Sequence, residues 1–244
     1  MIRVESHCHT CYSIDSSLPI RKIVNQCKKQ GINGIVICDH DVYGLTREDE
    51  RMFESNKIQL MKGIEFTTSE GVHIIGVSDE IKKLEKERGS YSARRLVDRL
   101  SEENAVIIVP HPNHSTGVIG NTNIKEIDAK YVLLNASFIE QANYKYGNTK
   151  EMDDILKKYN HLVTMVGSDA HSAKNIGAFY NEIDTDEESL QIEKVKNFRK
   201  LKRKEHNWVY WKIKRIKTTK IYQFFLKLFP VSFRRYIKNR IINK

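Results

Sequence analysis

The chain has 244 residues, of which 40% are hydrophobic and 30% are charged, and its formal net charge is +10. This length and composition predict a soluble globular protein with one large domain, or one domain and an appendage. No run reaches the roughly 18 apolar residues that a membrane span needs, and the opening residues are typical of a core strand instead of a signal peptide. The cysteines at positions 8, 11, 27 and 38 have neither disulfide-framework nor zinc-ribbon spacing. We therefore expect a cytoplasmic protein with reduced thiols.

The charge is divided unevenly along the chain. Residues 190–244 hold 18 Lys/Arg and 2 Asp/Glu, a net charge of +16, whereas residues 1–189 hold 23 Lys/Arg and 29 Asp/Glu, a net charge of −6. The composition changes near residue 190, and we predict two parts, a domain at 1–189 and a basic tail at 190–244. A tail of this charge indicates an anionic surface as its partner.

Strands and helices are predicted to alternate through the first part of the chain. Strands are predicted at residues 2–6, 34–38, 58–66, 72–77, 106–109, 131–134 and 162–166. Predicted helices end at Gly31, fill about residues 45–56, and place apolar stripes on residues 93–100 and 152–156. This alternation implies βαβ units and a mainly parallel sheet. About seven units in about 180 residues favour a compact α/β barrel over an open sheet.

Histidines and carboxylates recur in or just after the predicted strands. His7 and His9 lie two residues apart and would point to the same face of a strand, as two metal ligands do. Each such residue also has a purely structural reading: a core histidine for His73, for example, or a buried ion-pair partner for Glu65. Together, however, these groups would bury too much unpaired polarity, and a shared metal cluster would satisfy them.

The full set of these residues identifies a family. It comprises His7-x-His9, Asp15, Asp39-His40, Glu65, His73, His111-Pro112 and Ser168-Asp169-Ala170-His171. In order, spacing and flanking residues, the set resembles the PHP (polymerase and histidinol phosphatase) family of metal-dependent phosphoesterases over about residues 1–178. The resemblance implies a distorted (β/α)7 barrel with two or three divalent metals, Mn, Zn or Fe, at the C-terminal ends of its strands. Imidazole and carboxylate donors suit those metals.

The resemblance also implies a role for each residue. The first metal position would be held by His7, His9, Glu65 and Asp169. Glu65 would bridge to a second position, completed by His73 and His111. The third would be held by Asp15, His40 and His171. Glu65, Asp169 and His171 are the expected catalytic residues, and Asp39 and Asp41 are expected to orient ligand imidazoles.

Two positions depart from the family pattern. Glu5 stands where the family usually has Asp, and we expect it to lie outside the metal ligands. The family often has a basic residue shortly after the His-Pro pair, where this chain has Asn113 and His114. His114 is therefore one candidate for binding the substrate, and Lys174 is another; solvent exposure is the alternative for both.

The expected activity is hydrolysis of phosphate esters, by a phosphatase or a phosphodiesterase. Hydroxide generated at the metals would attack phosphorus in line with the leaving oxygen. The alternatives are a PHP-type nuclease and a non-enzymatic module with a structural metal site.

The basic tail has its own pattern. Apolar residues repeat at i, i+3, i+4 and i+7 at Ile221, Phe224, Phe225 and Leu228, with Lys220 and Lys227 opposite. Such an amphipathic helix is typical of the membrane interface, so we expect residues 205–244 to bind an anionic membrane, on its cytoplasmic face. Packing of the stripe on the barrel is the alternative. Nucleic acid is disfavoured as the partner because the aromatic residues do not interleave with Arg.

Overall fold

The computed structural model describes residues 2–143, 150–183 and 199–202. The strands are β1 (Ile2–Cys8), β2 (Gly34–His40), β3 (Gln59–Thr67), β4 (His73–Val77), β5 (Val106–Val109), β6 (Phe138–Asn143), β7 (Val163–Gly167), β8 (Phe179–Ile183) and β9 (Arg199–Lys202). The helices are α1 (Ile20–Gln30), α2 (Arg47–Ser55), α3 (Ala93–Glu102), α4 (Glu126–Asn135) and α5 (Lys150–Lys158), with a 3-10 turn at Ile81–Leu84. Among the described residues, no helix has the length and apolar character needed to cross a membrane.

The strands form one sheet in the order β7-β6-β5-β4-β3-β2-β1-β8-β9. Of the eight neighbouring pairs in this order, four are parallel. The other four are antiparallel, because β4 runs against β3 and β5, and β8 runs against β1 and β9. The sheet is therefore mixed, and not mainly parallel as the sequence predicted. The sheet curls until Cys8, at the end of β1, forms a parallel bridge with Ala170, after β7. The result is a nearly closed barrel, which confirms the predicted distorted α/β barrel.

Two apolar clusters hold the barrel together. One fills its interior and includes Val36, Ile75 and Ile108, and the other lies between the barrel and the helices. Strands buried on both faces explain the continuous apolar runs of the sequence. The outer cluster receives the predicted stripe of α1, which ends at Gly31 in the left-handed conformation (φ 67°) that glycine adopts without strain.

Backbone and side-chain hydrogen bonds close the place where β1 meets β7, which we call the β1/β7 seam. The Ala170 amide donates to the His7 carbonyl at 3.1 Å, and the Ala170 carbonyl accepts from the His9 amide at 3.0 Å. Further along, Asn181 of β8 accepts from the Val166 amide at 2.9 Å and donates to the Val166 carbonyl at 2.8 Å. Asn181 is fully buried, and without it these backbone groups would each be left unsatisfied at a cost of about 1–3 kcal/mol.

Two further features of the fold differ from the sequence prediction. The strand predicted at residues 131–134 is wrong: these residues lie in α4, and the sixth strand follows as β6. A short apolar run suits a buried helix as well as a strand, and the acidic Glu126 and Asp128 favour a helix start just before it. Strands β8 and β9 were not predicted, because adjacent polar residues at Asn181 and Glu182 break the apolar run of β8.

The two compact units of the chain are residues Met1–Arg203 and Lys204–Lys244. The second unit, with the predicted amphipathic helix, lies outside the described residues. The boundary between residues 189 and 190 stays a prediction; β9, which lies beyond it, is paired with β8.

Candidate metal centre

Imidazoles and carboxylates from several strands meet at one end of the barrel. The residues brought together are His7, His9, Asp15, His40, Glu65, His73, His111, Asp169 and His171. The antiparallel direction of β4 explains how His73 joins them: it is the first residue of its strand and pairs with Thr67, at the end of β3. His111 and Asp169, which follow β5 and β7, have positive φ angles of 27° and 46°. Such strained backbone is typical of functional sites.

The most deeply buried group contains His7, His9, Glu65 and Asp169, none of which is more than 5% exposed. The Nε2 atoms of His7 and His9 lie 3.1 Å apart, and they lie 3.2 and 3.1 Å from Glu65 Oε2. Asp169 Oδ1 lies 3.8 Å from the first of these nitrogens and 3.5 Å from the second. Ligand atoms around a tetrahedral metal with bonds of about 2.0–2.2 Å are about 3.3–3.6 Å apart, so these spacings fit a metal ion.

The surroundings of this group favour positive charge. Burial alone would lower the pKa of His7, but the carboxylates of Glu140 and Glu65 outweigh it and hold that pKa well above its ordinary value. Burial likewise opposes the charged form of Glu65, yet the surrounding imidazoles hold the pKa of its carboxyl well below its ordinary value. A proton or a metal ion can supply such charge, and metal binding displaces the proton.

The second group shares Glu65 with the first. Glu65 Oε1 lies 2.9 Å from His111 Nε2 and 3.1 Å from His73 Nδ1. The two oxygens of this carboxylate therefore face two different sets of imidazoles. Within the described part of the chain, buried ring nitrogens of His40, His73 and His111 have no hydrogen-bond partner. Unsatisfied buried nitrogens of this kind indicate a site for an ion or water.

The third group lies at the mouth of the site. Asp15 Oδ2 is 2.8 Å from His171 Nε2 and 3.4 Å from His40 Nε2. Burial raises the pKa of Asp15, but its hydrogen bonds with the two imidazoles outweigh this and place the pKa well below its ordinary value. The rings of His9 and His171 stack with centroids 4.2 Å apart, which links this group to the first. The three groups together form a donor set that fits a multi-metal centre.

Glu140, on β6, is a residue of the site that the sequence did not reveal. It is buried, and its Oε1 lies 2.7 Å from His7 Nδ1 while its Oε2 accepts from the His111 amide at 2.8 Å. Such a carboxylate fixes the orientation of a ligand imidazole. Gly167 leaves room for it, because a Cβ there would overlap Glu140 Oε1. The only signal in the sequence is an isolated acidic residue after the apolar Phe138-Ile139.

Other carboxylates hold the loops of the site in place. Glu5 accepts from the Ser168 amide at 2.9 Å and from the Gly177 amide at 3.1 Å, so it secures both ends of the loop that carries Asp169 and His171. Burial raises the pKa of Glu5 to about 7, although these hydrogen bonds oppose the rise. Glu5 thus lies outside the converging donor set, as expected.

Asp39 and Asp41 have different contacts from those predicted. We expected both to orient ligand imidazoles. Instead, Asp39 accepts from the Thr10 hydroxyl at 2.7 Å, and Asp41 accepts from the Thr67 amide at 2.6 Å. The reason is that both carboxylates turn toward backbone and hydroxyl donors. Asp39 holds the loop after β1 against the end of β2, and Asp41 holds the last residue of β3.

The two predicted substrate contacts lie in loops beside the centre. The His114 ring packs edge-on against His111, with centroids 5.5 Å apart, and its Nδ1 is 2.8 Å from Thr116 Oγ1. Lys174 is exposed, three residues beyond His171. Their roles in binding substrate stay predictions.

Comparison with known proteins identifies the family. The sequence model of the PHP domain matches residues 5–204, most of the chain. The chain belongs to the PHP domain family. Among curated proteins, this PHP domain is similar to a 5'-3' exoribonuclease of Haemophilus influenzae, with 32% identity over 79 residues. That match spans 31% of this chain and only 28% of the exoribonuclease.

Solved structures show the same fold. The PHP domain superposes on PsfC from Pseudomonas syringae with a TM-score of 0.65 and 16% identity, over 84% of this chain and 93% of PsfC. It also superposes on a two-domain protein from Bacteroides vulgatus that contains a predicted PHP-like metal-dependent phosphoesterase, with a TM-score of 0.59 and 16% identity. That superposition covers 74% of this chain and 58% of the Bacteroides protein. At this level of identity, the similarity is one of fold.

Proposed function

We propose that this PHP domain hydrolyses phosphate esters with two or three divalent cations, Mn, Zn or Fe, bound at the end of its barrel. The observation that carries the proposal is the position of Glu65. Its Oε2 faces His7 and His9, whereas its Oε1 faces His73 and His111. A buried carboxylate in that position can bridge two cations.

The proposed ligands fall into three sets. The first is His7, His9, Glu65 and Asp169, the second is Glu65, His73 and His111, and the third is Asp15, His40 and His171. When bound, closely spaced divalent cations lower the pKa of a water molecule and neutralise phosphate oxygens. His171 Nδ1 lies 2.9 Å from the Asp169 carbonyl and 3.3 Å from Asp169 Oδ1. A proton on this nitrogen orients the His171 ring and leaves its Nε2 to face Asp15.

His114 is the proposed contact to the phosphate. Its Nδ1 lies 2.8 Å from the Thr116 hydroxyl and also accepts from the Thr116 amide at 3.4 Å. A neutral imidazole that accepts at Nδ1 carries its proton on Nε2. The ring packs beside His111, and we propose that it contacts the phosphate from there. Lys174, an exposed cation in the loop after His171, is the second candidate.

The exposure of the ligands favours a terminal phosphate as the substrate group. His7 and His9 are fully buried, whereas the side chains of His171 and Asp15, at the mouth, are 24% and 43% exposed. A substrate must therefore pass the third set to reach the first two. A phosphate at the end of a molecule can do so more readily than one inside a polymer, which leads us to propose terminal esters.

The proposal is tested by removing and restoring the metal. Treatment with a chelator is expected to abolish hydrolysis of phosphomonoesters, because the imidazoles and carboxylates act only through the bound cations. Reloading with Mn, Zn or Fe should restore it, and elemental analysis of the active protein should give two to three equivalents. Full activity in chelated protein with no measurable metal would contradict the proposal.

A PHP-type exonuclease is the second candidate function, favoured by the similarity to the Haemophilus exoribonuclease. The same metal chemistry would then act on the terminal nucleotide of a nucleic acid. Release of mononucleotides from a 5'-phosphorylated oligonucleotide, faster than phosphate from small monoesters, would favour it. Salt-sensitive binding of the oligonucleotide would accompany that result.

We further propose that residues 205–244, outside the described residues, attach the enzyme to an anionic membrane. Removing them is expected to leave turnover on a soluble substrate nearly unchanged and to abolish binding to anionic vesicles. Each cation near such a surface contributes about 1 kcal/mol, and the apolar stripe adds to it. Co-sedimentation with vesicles checks this, and binding of the full chain should weaken with salt. If the truncated chain were insoluble and the full chain did not bind vesicles, the result would instead indicate that the apolar stripe packs on the barrel.

A further inference from the structure

We propose that Ser13 is a positioning residue that connects the first and third ligand sets, so that the third cation binds at full affinity only when its hydroxyl is present. This inference rests on the proposed function. Ser13 lies in the loop between β1 and α1, two residues before Asp15, and it is 4% exposed. A serine buried in a loop needs partners for its hydroxyl, and here all three partners belong to the centre.

The contacts of Ser13 Oγ define its role. It donates to Asp15 Oδ1 at 2.8 Å and accepts from the His40 amide at 3.2 Å. His9 Nδ1 lies 3.4 Å from the same oxygen. One hydroxyl therefore contacts a ligand of the first set and two residues of the third, which come from β2 and from the loop after β1.

Counting protons fixes the direction of each hydrogen bond. A hydroxyl has one proton to donate and two lone pairs to accept with. The ionised Asp15 carboxylate can only accept, so it takes the proton, and the His40 amide can only donate, so it occupies one lone pair. His9 Nδ1 must then donate to the other lone pair. His9 is thereby held in the tautomer that directs the lone pair of Nε2 toward Glu65 and Asp169.

The same hydroxyl orients the Asp15 carboxylate. Oδ1 is occupied by Ser13, which turns Oδ2 toward His171 at 2.8 Å and His40 at 3.4 Å. The Asp15 side chain is 43% exposed, so once this bond is lost little packing remains to hold its rotamer. The third set depends on Ser13 through Asp15, whereas His9 keeps Glu65 and Asp169 as neighbours and the first set is less affected.

The experiment measures metal binding directly, apart from activity. Purified wild-type protein, Ser13→Ala, Ser13→Thr and Asp15→Ala are stripped of metal and titrated with Mn or Zn, and the bound equivalents are counted by elemental analysis. Ser13→Ala is expected to lose the third equivalent, or to bind it at least about tenfold more weakly, as residues that support a ligand typically do. It should thus match Asp15→Ala, and both should keep two equivalents. Ser13→Thr, which retains a hydroxyl, should keep more of the third equivalent than Ser13→Ala.

Ser172→Ala is the matched control, because its exposed hydroxyl lies in a loop of the same end of the barrel and donates to Asn175. It should bind metal as the wild type does, and the metal-free variants should melt within a few degrees of one another. The inference about Ser13 would be overturned if Ser13→Ala bound the third equivalent with wild-type affinity, or if the wild-type protein bound only two equivalents. The proposed function would survive either result. A wild-type protein that binds no metal would overturn the proposed function as well.

Discussion

Replacing Glu65 by glutamine is expected to leave a folded protein that has lost at least about 100-fold in kcat/KM toward phosphate esters, the upper end of the loss seen for residues that merely support a ligand. The reason is the position of the carboxylate between two imidazole pairs. An amide has one acceptor atom and two N–H donors. Its NH₂ group would therefore replace one of the two carboxylate oxygens, and it cannot bind a cation as that oxygen can. Two neighbouring cations would lose their shared ligand.

Steady-state kinetics and elemental analysis on the same preparation check this result. Metal content should fall from the wild-type value to one equivalent or less. Glu102→Gln is the control, because Glu102 is an exposed acid on α3 with a single ion pair, to Arg99. Wild-type turnover and metal content in Glu65→Gln would show that the bridging assignment is wrong.

The second large effect is expected from Glu140, which no cation is proposed to touch. Glu140→Gln should weaken metal binding by about 10–100-fold while the protein stays folded. The carboxylate accepts from the His111 amide and from His7 Nδ1. Glutamine can accept only one of these bonds, and its N–H groups would oppose the other donor. A His7 ring that shifts its proton to Nε2 can no longer bind a cation there.

Metal titration of the stripped protein distinguishes this role from a purely structural one. The melting temperature of metal-free Glu140→Gln should change far less than its metal affinity, and raising the metal concentration should restore much of the activity. Unchanged metal affinity in this variant would mean that His7 is oriented by its strand alone.

The sequence pointed to the histidines and carboxylates that converge at this end of the barrel because most of them combine a distinctive side chain with a place near the end of a strand, and because together they resemble a family pattern. His7, His40 and Glu65 could be located in this way without any knowledge of their neighbours. Glu140 and Ser13 could not, since their importance arises from contacts between segments far apart in the chain. Local pattern was also insufficient at residues 131–134, where four apolar residues suit two kinds of element.

The strands that the sequence predicted and those that it missed also differ in whether their pattern is local. Strands buried on both faces produce apolar runs that can be read directly. Strand β8 pairs with β1 and β9 and contains Asn181, a residue type that strands ordinarily disfavour. The Asn181 side chain satisfies the Val166 backbone, and this partner cannot be recognised from the sequence of β8.

The β1/β7 seam bears on the order in which the molecule assembles. The Ser6 hydroxyl meets the Val166 carbonyl across a separation of 160 residues, and contacts so distant along the chain are slow to form because a large loop must close first. His7 and Asp169 lie in the sequence next to the two ends of that loop, so they are brought together only when it closes. The deepest ligand set is therefore incomplete until the barrel has closed. A cation at that set is thus expected to bind only after the barrel has closed, so this part of the chain must reach its closed form without help from that ion.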